Sequence, residues 1–301
     1  MTIDPRHIEN AKRARELYLD NLKPAEAAAD WRFAVMAARK LVTDALRASD
    51  YLSDIAKALR SNGAHSLVFR QLLAPPMSQD QFKLVCPQWS KGTENNATPF
   101  SAVAADAAAA AFNERLDVGL VNWVNGRQPR TRKKLVTVIR VASTLIGAQR
   151  LSTARRTRLA FEQESAIVKL LEGNGWERLP SKLIDTRAAV PLRSFMHKTR
   201  FATGTTTHQE VDVACGLKGT YVLAMECKVT NDETNSVKRV NDVLKKATAW
   251  KEHWGNFVLT AAVLQGVVAP KDVQRLSDAK IEVFWSHDMP SFKSWLDVRT
   301  I

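Results

Sequence analysis

The sequence predicts an α/β fold, with a mixed sheet flanked by helices in the C-terminal half and a helical region before it. Up to about residue 158, apolar residues recur every three or four positions, which is the period of an amphipathic helix. Beyond that point, the strand-like segments QEVDVACG and YVLAMECKV are joined by a short glycine-containing turn. Two later strand-like segments are separated by helical ones. Antiparallel neighbours are therefore expected first and parallel crossover strands afterwards.

The first region, residues 1–158, is expected to be mainly helical. Its sequence is rich in alanine, leucine, arginine and glutamate over 6–60, and helices are also expected over 100–120 and 132–158. Breaks are predicted at Pro24, at Asn62-Gly63, at Ala74-Pro75-Pro76 and at Asn125-Gly126.

The second region, residues 159–301, carries the predicted sheet. LAFEQESAIVKLLEGNG indicates an amphipathic helix that ends at a glycine, and a short strand is expected near Trp176. After the hairpin come a helix over 236–254, the buried strand FVLTAAVLQGVV and a helix beside Pro270. The strand IEVFWS and a closing helix in SFKSWL complete the order α-β-β-β-α-β-α-β-α.

Composition narrows the class of protein. Of the 301 residues, 45% are apolar and 25% charged, as in soluble globular proteins, and no apolar run reaches the ~18 residues that span a bilayer. The N-terminus lacks the apolar core of a signal peptide. Three cysteines without C-x-x-C spacing argue against a structural zinc site and a disulfide framework. We therefore expect no membrane partner and a location in the bacterial cytoplasm.

The charge of the chain predicts a polyanionic partner. Lysine and arginine outnumber acidic residues 44 to 31, which gives a net charge of +13. Residues 127–158 contain ten of the basic residues and no aspartate or glutamate. DNA phosphates are the simplest source of counter-charge, so region 1–158 is expected to serve DNA binding or dimerisation. The alternative is a merely basic soluble protein.

The hairpin segments carry the candidate chemistry. Because alternate residues of a strand share a face, Asp212, Glu226 and Lys228 are expected on one face, with Glu210 as a supporting residue. Neighbouring carboxylates repel each other, and a divalent cation such as Mg²⁺ removes that repulsion. A nearby lysine can orient or deprotonate a water molecule, or stabilise charge on phosphorus. The alternative is a solvated strand end with a surface ion pair.

These residues resemble the PD-(D/E)XK nucleases over about 159–285. The resemblance implies a restriction-endonuclease-like core in which Asp212 and Glu226 bind Mg²⁺ and Lys228 assists the attacking water. It also implies that the Cys227 backbone carbonyl binds the metal, and that Glu164 or Glu162 from the preceding helix joins the site. The sequence has Val211 where the motif's name has proline.

A closer resemblance is to the XamI-like type II restriction endonucleases. It rests on LIDTRAAVPLRSFMHKTRFATGTTTHQEVDVACG and AMECKVTNDETNSVKRVNDVLKKATAWKEHWG. It implies Mg²⁺-dependent cleavage of double-stranded DNA at a short palindrome, with GTCGAC as the candidate, and a cognate DNA methyltransferase as genetic partner. A palindromic target would suit a homodimer. Two alternatives remain open: a DNA-repair or structure-selective nuclease of the same fold, and a non-catalytic DNA-binding protein.

Several other polar residues are candidates for DNA contact. The segment 193–208, read as a loop, contains Lys198 and Arg200. The segment after the hairpin offers four more side chains that could reach a groove: Asn235, Lys238, Arg239 and Asn241. The alternatives are a solvated loop and a polar helix start with a charged face. Gln265 is expected beside the site, as a water-positioning group or as a satisfied core amide. No histidine is assigned to a metal.

Overall fold

The computed structural model describes residues 3–21, 24–124, 126, 128–205 and 207–301. The chain divides into two compact units, which we call the sheet unit (Met1–Lys23 with Arg155–Ile301) and the helical unit (Pro24–Ala154). The prediction divided the chain differently, at residue 158, and left the first residues with the helical region. They join the sheet unit because Ala11 and Ala14 of the first helix are buried in its core.

The helices and strands follow in chain order. The helices are α1 (Pro5–Asp20), α2 (Pro24–Ala48), α3 (Ile55–Ser61), α4 (His65–Gln71), α5 (Gln79–Val85), α6 (Lys91–Asn95), α7 (Ala102–Asn113), α8 (Arg132–Gly173), α9 (Glu233–Trp254), α10 (Pro270–Asp278) and α11 (Met289–Val298). The strands are β1 (Glu177–Leu179), β2 (Leu183–Ile184), β3 (Ser194–Phe201), β4 (Gln209–Gly216), β5 (Val222–Thr230), β6 (Val258–Gly266) and β7 (Glu282–Trp285). No helix in the described ranges is long and apolar enough to cross a membrane.

One mixed sheet organises the sheet unit. Over the residues that the structure describes, its strand order is β1-β3-β4-β5-β6-β7, with β2 beside β3. The pairs β3/β4 and β4/β5 are antiparallel, whereas β5/β6 and β6/β7 are parallel. The predicted mixed sheet, with antiparallel strands first and crossover strands afterwards, is confirmed.

Helices cover both faces of this sheet. On one face, Ile167 and Leu171 of α8 and Phe292 of α11 are buried against β3, β4 and β5. On the other face, α9, α10 and α1 pack over β6 and β7, with Val243 of α9 fully buried. Each buried side chain of this size contributes about 1.5–3 kcal/mol, so both helix layers are firmly held. Strand β5 therefore lies between these two helix layers, with α8 on one face of the sheet and α9 on the other.

The hairpin of β4 and β5 depends on two glycines. A Cβ atom on Gly216 would lie 1.9 Å from the carbonyl oxygen of Pro191, so only glycine fits at the end of β4. Gly219 in the turn has a φ of 70°, a conformation that glycine adopts without steric cost. These two positions bring β5 back along β4 in the observed register.

The helical unit has its own apolar core. Phe82 and Phe112 stack with ring centroids 4.2 Å apart, and Trp89 meets Phe82 edge-on. A charged pair, Arg70 and Glu94, is buried beside these rings. The unit therefore combines aromatic packing with an internal ion pair.

Three element predictions were wrong. The helices expected over 132–158 and 159–173 form the continuous helix α8. The helix expected over 100–120 is the shorter α7. The segment 193–208, read as a loop, contains strand β3, because Phe195, Met196 and Phe201 are buried in the sheet core while polar residues interrupt their alternation. The turn expected at Asn125-Gly126, and Arg127 of the basic segment, involve positions outside the described residues.

Candidate active site

Strands β4 and β5 bring three predicted residues together. Their pairing joins Val213 with Met225, so Asp212 and Glu226 face each other one position further along. Lys228 follows on the same face of β5, and its Nζ lies 2.6 Å from Glu226 Oε2. The alternation of side chains in the sequence therefore translates directly into this cluster.

Glu226 is the most enclosed member of the cluster. Its side chain is 0% exposed, and Oε2 accepts hydrogen bonds from Lys228 and from Lys246 of α9, both within 2.8 Å. Its other oxygen, Oε1, is buried without a hydrogen-bond partner among the described residues. Burial raises the pKa of Glu226, and the Asp212 carboxylate adds to this, although both lysines oppose it. One carboxylate oxygen is thus left with unused acceptor capacity in a low-dielectric setting.

Lys228 is held between two carboxylates. Besides its contact with Glu226, its Nζ lies 2.8 Å from Asp242 Oδ2 on α9. Burial alone would lower the pKa of Lys228, but the Glu226 charge and hydrogen bonds to both carboxylates raise it instead. The hydrogen bond from Lys228 lowers the pKa of Asp242, against the opposing effect of burial. In this arrangement Lys228 is a charged donor.

Asp242 and Lys246 were not among the residues predicted from the sequence. The two residues lie four positions apart on α9 and therefore on one face of that helix. That spacing is visible in the sequence, but the packing that turns this face toward β5 is not.

Asp212 completes the acidic pair. Its Oδ2 accepts a hydrogen bond of 2.7 Å from the backbone N–H of Cys227, the residue between Glu226 and Lys228. Among the described residues, no three histidine, cysteine, aspartate or glutamate side chains converge closely enough to form a metal site by themselves. The oxygens offered by Asp212, the unpartnered Glu226 Oε1 and a backbone carbonyl nevertheless suit Mg²⁺, which keeps several waters in its coordination shell.

A second group of ionisable side chains, centred on Glu164, lies at the α8 side of the cluster. Glu164 Oε2 lies 2.9 Å from His197 Nε2 and 3.1 Å from Lys198 Nζ, and Glu164 is buried. Its alternative, Glu162, is exposed and lies 3.8 Å from Arg158. The contact with Glu164 raises the pKa of Lys198, to which the Asp212 charge also contributes. Of the two glutamates considered, Glu164 is the one that contacts Lys198, which lies opposite Asp212 in the β3/β4 register.

Lys198 reaches this position through a strained backbone. Its φ is 52°, in the left-handed region that non-glycine residues rarely adopt. In the β3/β4 register, His197 pairs with Val213 and Thr199 pairs with Val211. Lys198 therefore lies opposite Asp212. Such local strain costs about 1–3 kcal/mol and is concentrated at functional sites.

A cleft of about 430 Å³ opens beside Asp212. Basic side chains line it together with Glu210 and Thr199: Lys182, Lys198, Arg200 and His208. Arg200 and Glu210 are exposed and lie 3.7 Å apart, a weak surface pair. Lys182 and His208 were not among the predicted residues.

The other predicted DNA contacts lie on α9. Asn235 donates two hydrogen bonds to Asp232, the N-cap residue of the helix, which matches the polar helix start considered as the alternative. Asn241 accepts a hydrogen bond of 2.7 Å from Arg275. Lys238 is exposed and Arg239 half-buried, and both remain candidates for DNA contact.

The structure does not bring Gln265 to the cluster. Its partner on β5 is Val229, which faces away from Glu226 and Lys228 because adjacent strand residues point to opposite faces. Gln265 instead lines a separate cavity of about 210 Å³ with residues of α1, among them Tyr18. The expected position beside the site was wrong.

The sequence of this chain matches those of known restriction enzymes. The sequence model of the XamI restriction endonuclease family matches residues 50–285. The type II restriction enzyme XamI of Xanthomonas campestris pv. amaranthicola is 29% identical over 191 residues; the alignment covers 62% of this chain and 66% of that enzyme, just under two thirds of its length.

A solved structure, protein VC1899 from Vibrio cholerae, aligns with 85% of this chain and 56% of its own at 11% identity. Its TM-score of 0.29 is too low to support an inference. The match to the family's sequence model does not depend on that structure, and it spans well over half of this chain. On that match, the chain belongs to the XamI restriction endonuclease family.

Proposed function

We propose that this protein is a type II restriction endonuclease that hydrolyses double-stranded DNA at a specific site with Mg²⁺. One observation carries the proposal: a fully buried glutamate, Glu226, has an unpartnered oxygen beside Asp212 and Lys228, in a chain of the XamI family. Most buried side-chain oxygens that serve packing alone have a hydrogen-bond partner.

The metal would be held by Asp212, Glu226 and the Cys227 carbonyl, with Glu164 as a further candidate. A bound Mg²⁺ would stabilise negative charge on the phosphate and make water a better nucleophile near neutral pH. The support from this chain is its donor set, which consists of hard oxygens on two paired strands.

Lys228 would act on the attacking water and on the charge that develops at phosphorus. Its ammonium group is held by Glu226 and Asp242, so it is oriented before the substrate arrives. The displacement would be in line and, as in the wider nuclease superfamily, would leave 5′-phosphate and 3′-hydroxyl ends.

The cleft beside Asp212 is our candidate for contact with the DNA backbone. Lys182 and Arg200 line it and would neutralise phosphates near the cut. We propose the same role for the basic residues of segment 128–158 and for Lys238 and Arg239. Binding through phosphates predicts a steep loss of affinity as the salt concentration rises.

The finer features of the proposal follow from the family. A short palindromic target, with GTCGAC as the candidate, would suit a homodimer with one active site for each strand. A cognate DNA methyltransferase would protect the host's own DNA. Both features fit a protein of the bacterial cytoplasm.

The test is digestion of a long linear DNA of known sequence. Wild type, Glu226→Gln and Glu177→Gln would each be incubated with DNA in Mg²⁺ and in EDTA. Glu177 is an exposed glutamate on β1, so its variant controls for the loss of one carboxylate. We expect discrete fragments from wild type and Glu177→Gln in Mg²⁺, and none in EDTA or from Glu226→Gln.

Other outcomes would favour the alternatives. A smear, or cutting confined to flaps and junctions, would indicate a repair or structure-selective nuclease. DNA that is bound but left intact by wild type in Mg²⁺ and in Mn²⁺ would indicate a non-catalytic DNA-binding protein. Sequencing the fragment ends would test the GTCGAC prediction directly.

A further inference from the structure

We infer that helix α9 supplies two positioning residues to the active site: Lys246, which orients Glu226, and Asp242, which orients Lys228. The inference rests on the proposed nuclease function and assigns roles to two residues that the predicted motif does not include. It is carried by contacts between α9 and β5.

The first contact fixes the Glu226 carboxylate. Lys246 Nζ lies 2.8 Å from Glu226 Oε2, the same oxygen that accepts from Lys228. Two ammonium groups share one oxygen and restrain the carboxylate, while Oε1 has no hydrogen-bond partner among the described residues. Lys246 therefore determines which oxygen of Glu226 is available to another ligand.

The second contact fixes the ammonium group of Lys228. Its Nζ is 2.8 Å from Asp242 and 2.6 Å from Glu226, so it lies between two carboxylates. A flexible four-carbon side chain would otherwise have several rotamers open to it. With Asp242 in place, the ammonium group has a fixed position beside Glu226.

The helix itself is a rigid support. Val240, Val243 and Ala247 of α9 are buried in the sheet core around these two positions. Asp242 and Lys246 lie one turn apart, so both side chains extend from one face of a packed helix. Sites built on packed elements hold their geometry better than sites on loops.

Charge alternates along the set: Asp242, Lys228, Glu226, Lys246. The exposed side-chain fractions are 44%, 10%, 0% and 16% in that order. Each buried charge thus has an opposite neighbour, which reduces the cost of keeping Glu226 ionised in the interior. The unpartnered Oε1 of Glu226 leaves this set able to accept one further ligand.

The experiment compares Lys246→Met and Asp242→Asn with Lys245→Met. Lys245 is the exposed neighbour of Lys246 on α9, so its variant removes the same charge without touching Glu226. Cleavage is measured at saturating and at limiting DNA, and DNA affinity is measured separately in EDTA. Thermal unfolding verifies that each variant is folded.

We expect Lys246→Met and Asp242→Asn each to lower kcat about 10- to 100-fold, the range for residues that orient metal ligands, with KM and DNA affinity unchanged. Lys246→Arg should recover part of the loss because its guanidinium also donates to a carboxylate. Lys245→Met should cleave like wild type.

A readout without cleavage tests the contact itself. Lys246→Met, Glu226→Gln and the double variant form a cycle of unfolding equilibria in EDTA. The coupling is expected to reach at least about twofold in the unfolding constant, the lower end of the range for contacting residues. Additive effects in this cycle would contradict the orienting contact.

Wild-type activity separates the two levels of the proposal. If wild type cleaves and both α9 variants cleave equally well, the positioning roles are wrong and the nuclease function stands. If both variants lose DNA affinity rather than kcat, α9 binds DNA instead. If wild type leaves DNA intact, the proposed function is wrong. Should Lys246→Met not fold, the half-exposed Asp242→Asn decides, and unchanged kcat there overturns the inference.

Discussion

Each unit of the molecule buries a glutamate against positive charge, and the two sites are built differently. In the helical unit, Glu94 Oε1 accepts from Arg70 and Gln79, and Oε2 accepts from Arg70 and Ser66. In the sheet unit, Glu226 Oε2 accepts from Lys228 and Lys246, while Oε1 has no partner in the described part of the chain.

The difference separates a carboxylate used for structure from one kept for a ligand. Glu94 meets a planar guanidinium and two neutral donors, so its acceptor capacity is used within the fold. Glu226 faces the like charge of Asp212, which adds to the effect of burial in raising its pKa. A buried glutamate with an open oxygen and a like-charged neighbour costs stability, and a bound cation would offset that cost.

The largest expected effect is on catalysis by Glu226→Gln. We expect the cleavage rate to fall about 10³-fold or more, because charge stabilisation by a metal is worth several kcal/mol and each 1.4 kcal/mol is tenfold in rate. Single-turnover digestion measures the rate, and urea unfolding in EDTA measures stability. Cleavage at the wild-type rate by the folded variant would show that Glu226, like Glu94, serves structure alone.

The second effect is on stability, through Glu94→Gln. Removing one partner of a buried ion pair costs about 3–5 kcal/mol, because the Arg70 charge is left uncompensated. Urea unfolding measures the loss. The matched control is the double variant Arg70→Met with Glu94→Leu, which removes both charges and should lose less. A single variant as stable as wild type would contradict the structural role.

The third and smaller expected effect is a gain in stability instead of a loss. We expect Asp212→Asn to raise the stability of the metal-free protein by about 0.5–2 kcal/mol while abolishing cleavage, because stability is commonly sacrificed at functional sites. The asparagine keeps an acceptor for the Cys227 N–H but removes the charge beside Glu226. Urea unfolding in EDTA measures the change in the free energy of unfolding. The gain should disappear in a Glu226→Gln background, and a destabilised single variant would contradict the proposed repulsion.

The sequence was sufficient for the part of the site that depends on local geometry. Asp212, Glu226 and Lys228 followed from the alternation of side chains along two strands, and that alternation holds over a few residues whatever the rest of the chain does. The mixed sheet followed from the order of strand-like and helical segments. Both inferences use short-range rules.

The rest of the site depends on packing between distant elements. Asp242 and Lys246 reach β5 because α9 lies over that strand, and no local pattern encodes this contact. Strand β3 was missed because His197 and Lys198 interrupt its apolar alternation, and these two residues are the ones that contact Glu164. The departures from pattern therefore coincide with the site, as expected where function overrides local preference.

The smallest expected effect is the pH dependence of stability that His65 of the helical unit contributes. It is a second test of whether the buried polar groups of that unit are structural. Burial lowers the pKa of His65 below 6.5, and its Nδ1 lies 3.0 Å from the Ala58 carbonyl oxygen. The unfolded chain therefore binds more protons, so this contribution to stability is complete above pH 6.5 and is lost as the pH falls toward the folded pKa. We expect urea unfolding at about pH 7.5 and about pH 5.5 to reveal a loss in wild type that is smaller in His65→Gln. His253→Gln, at an exposed position, should behave like wild type. An equal loss in His65→Gln would mean that His65 is not kept neutral by burial, and that the loss comes from other groups such as His287 of the sheet unit, whose pKa burial also lowers.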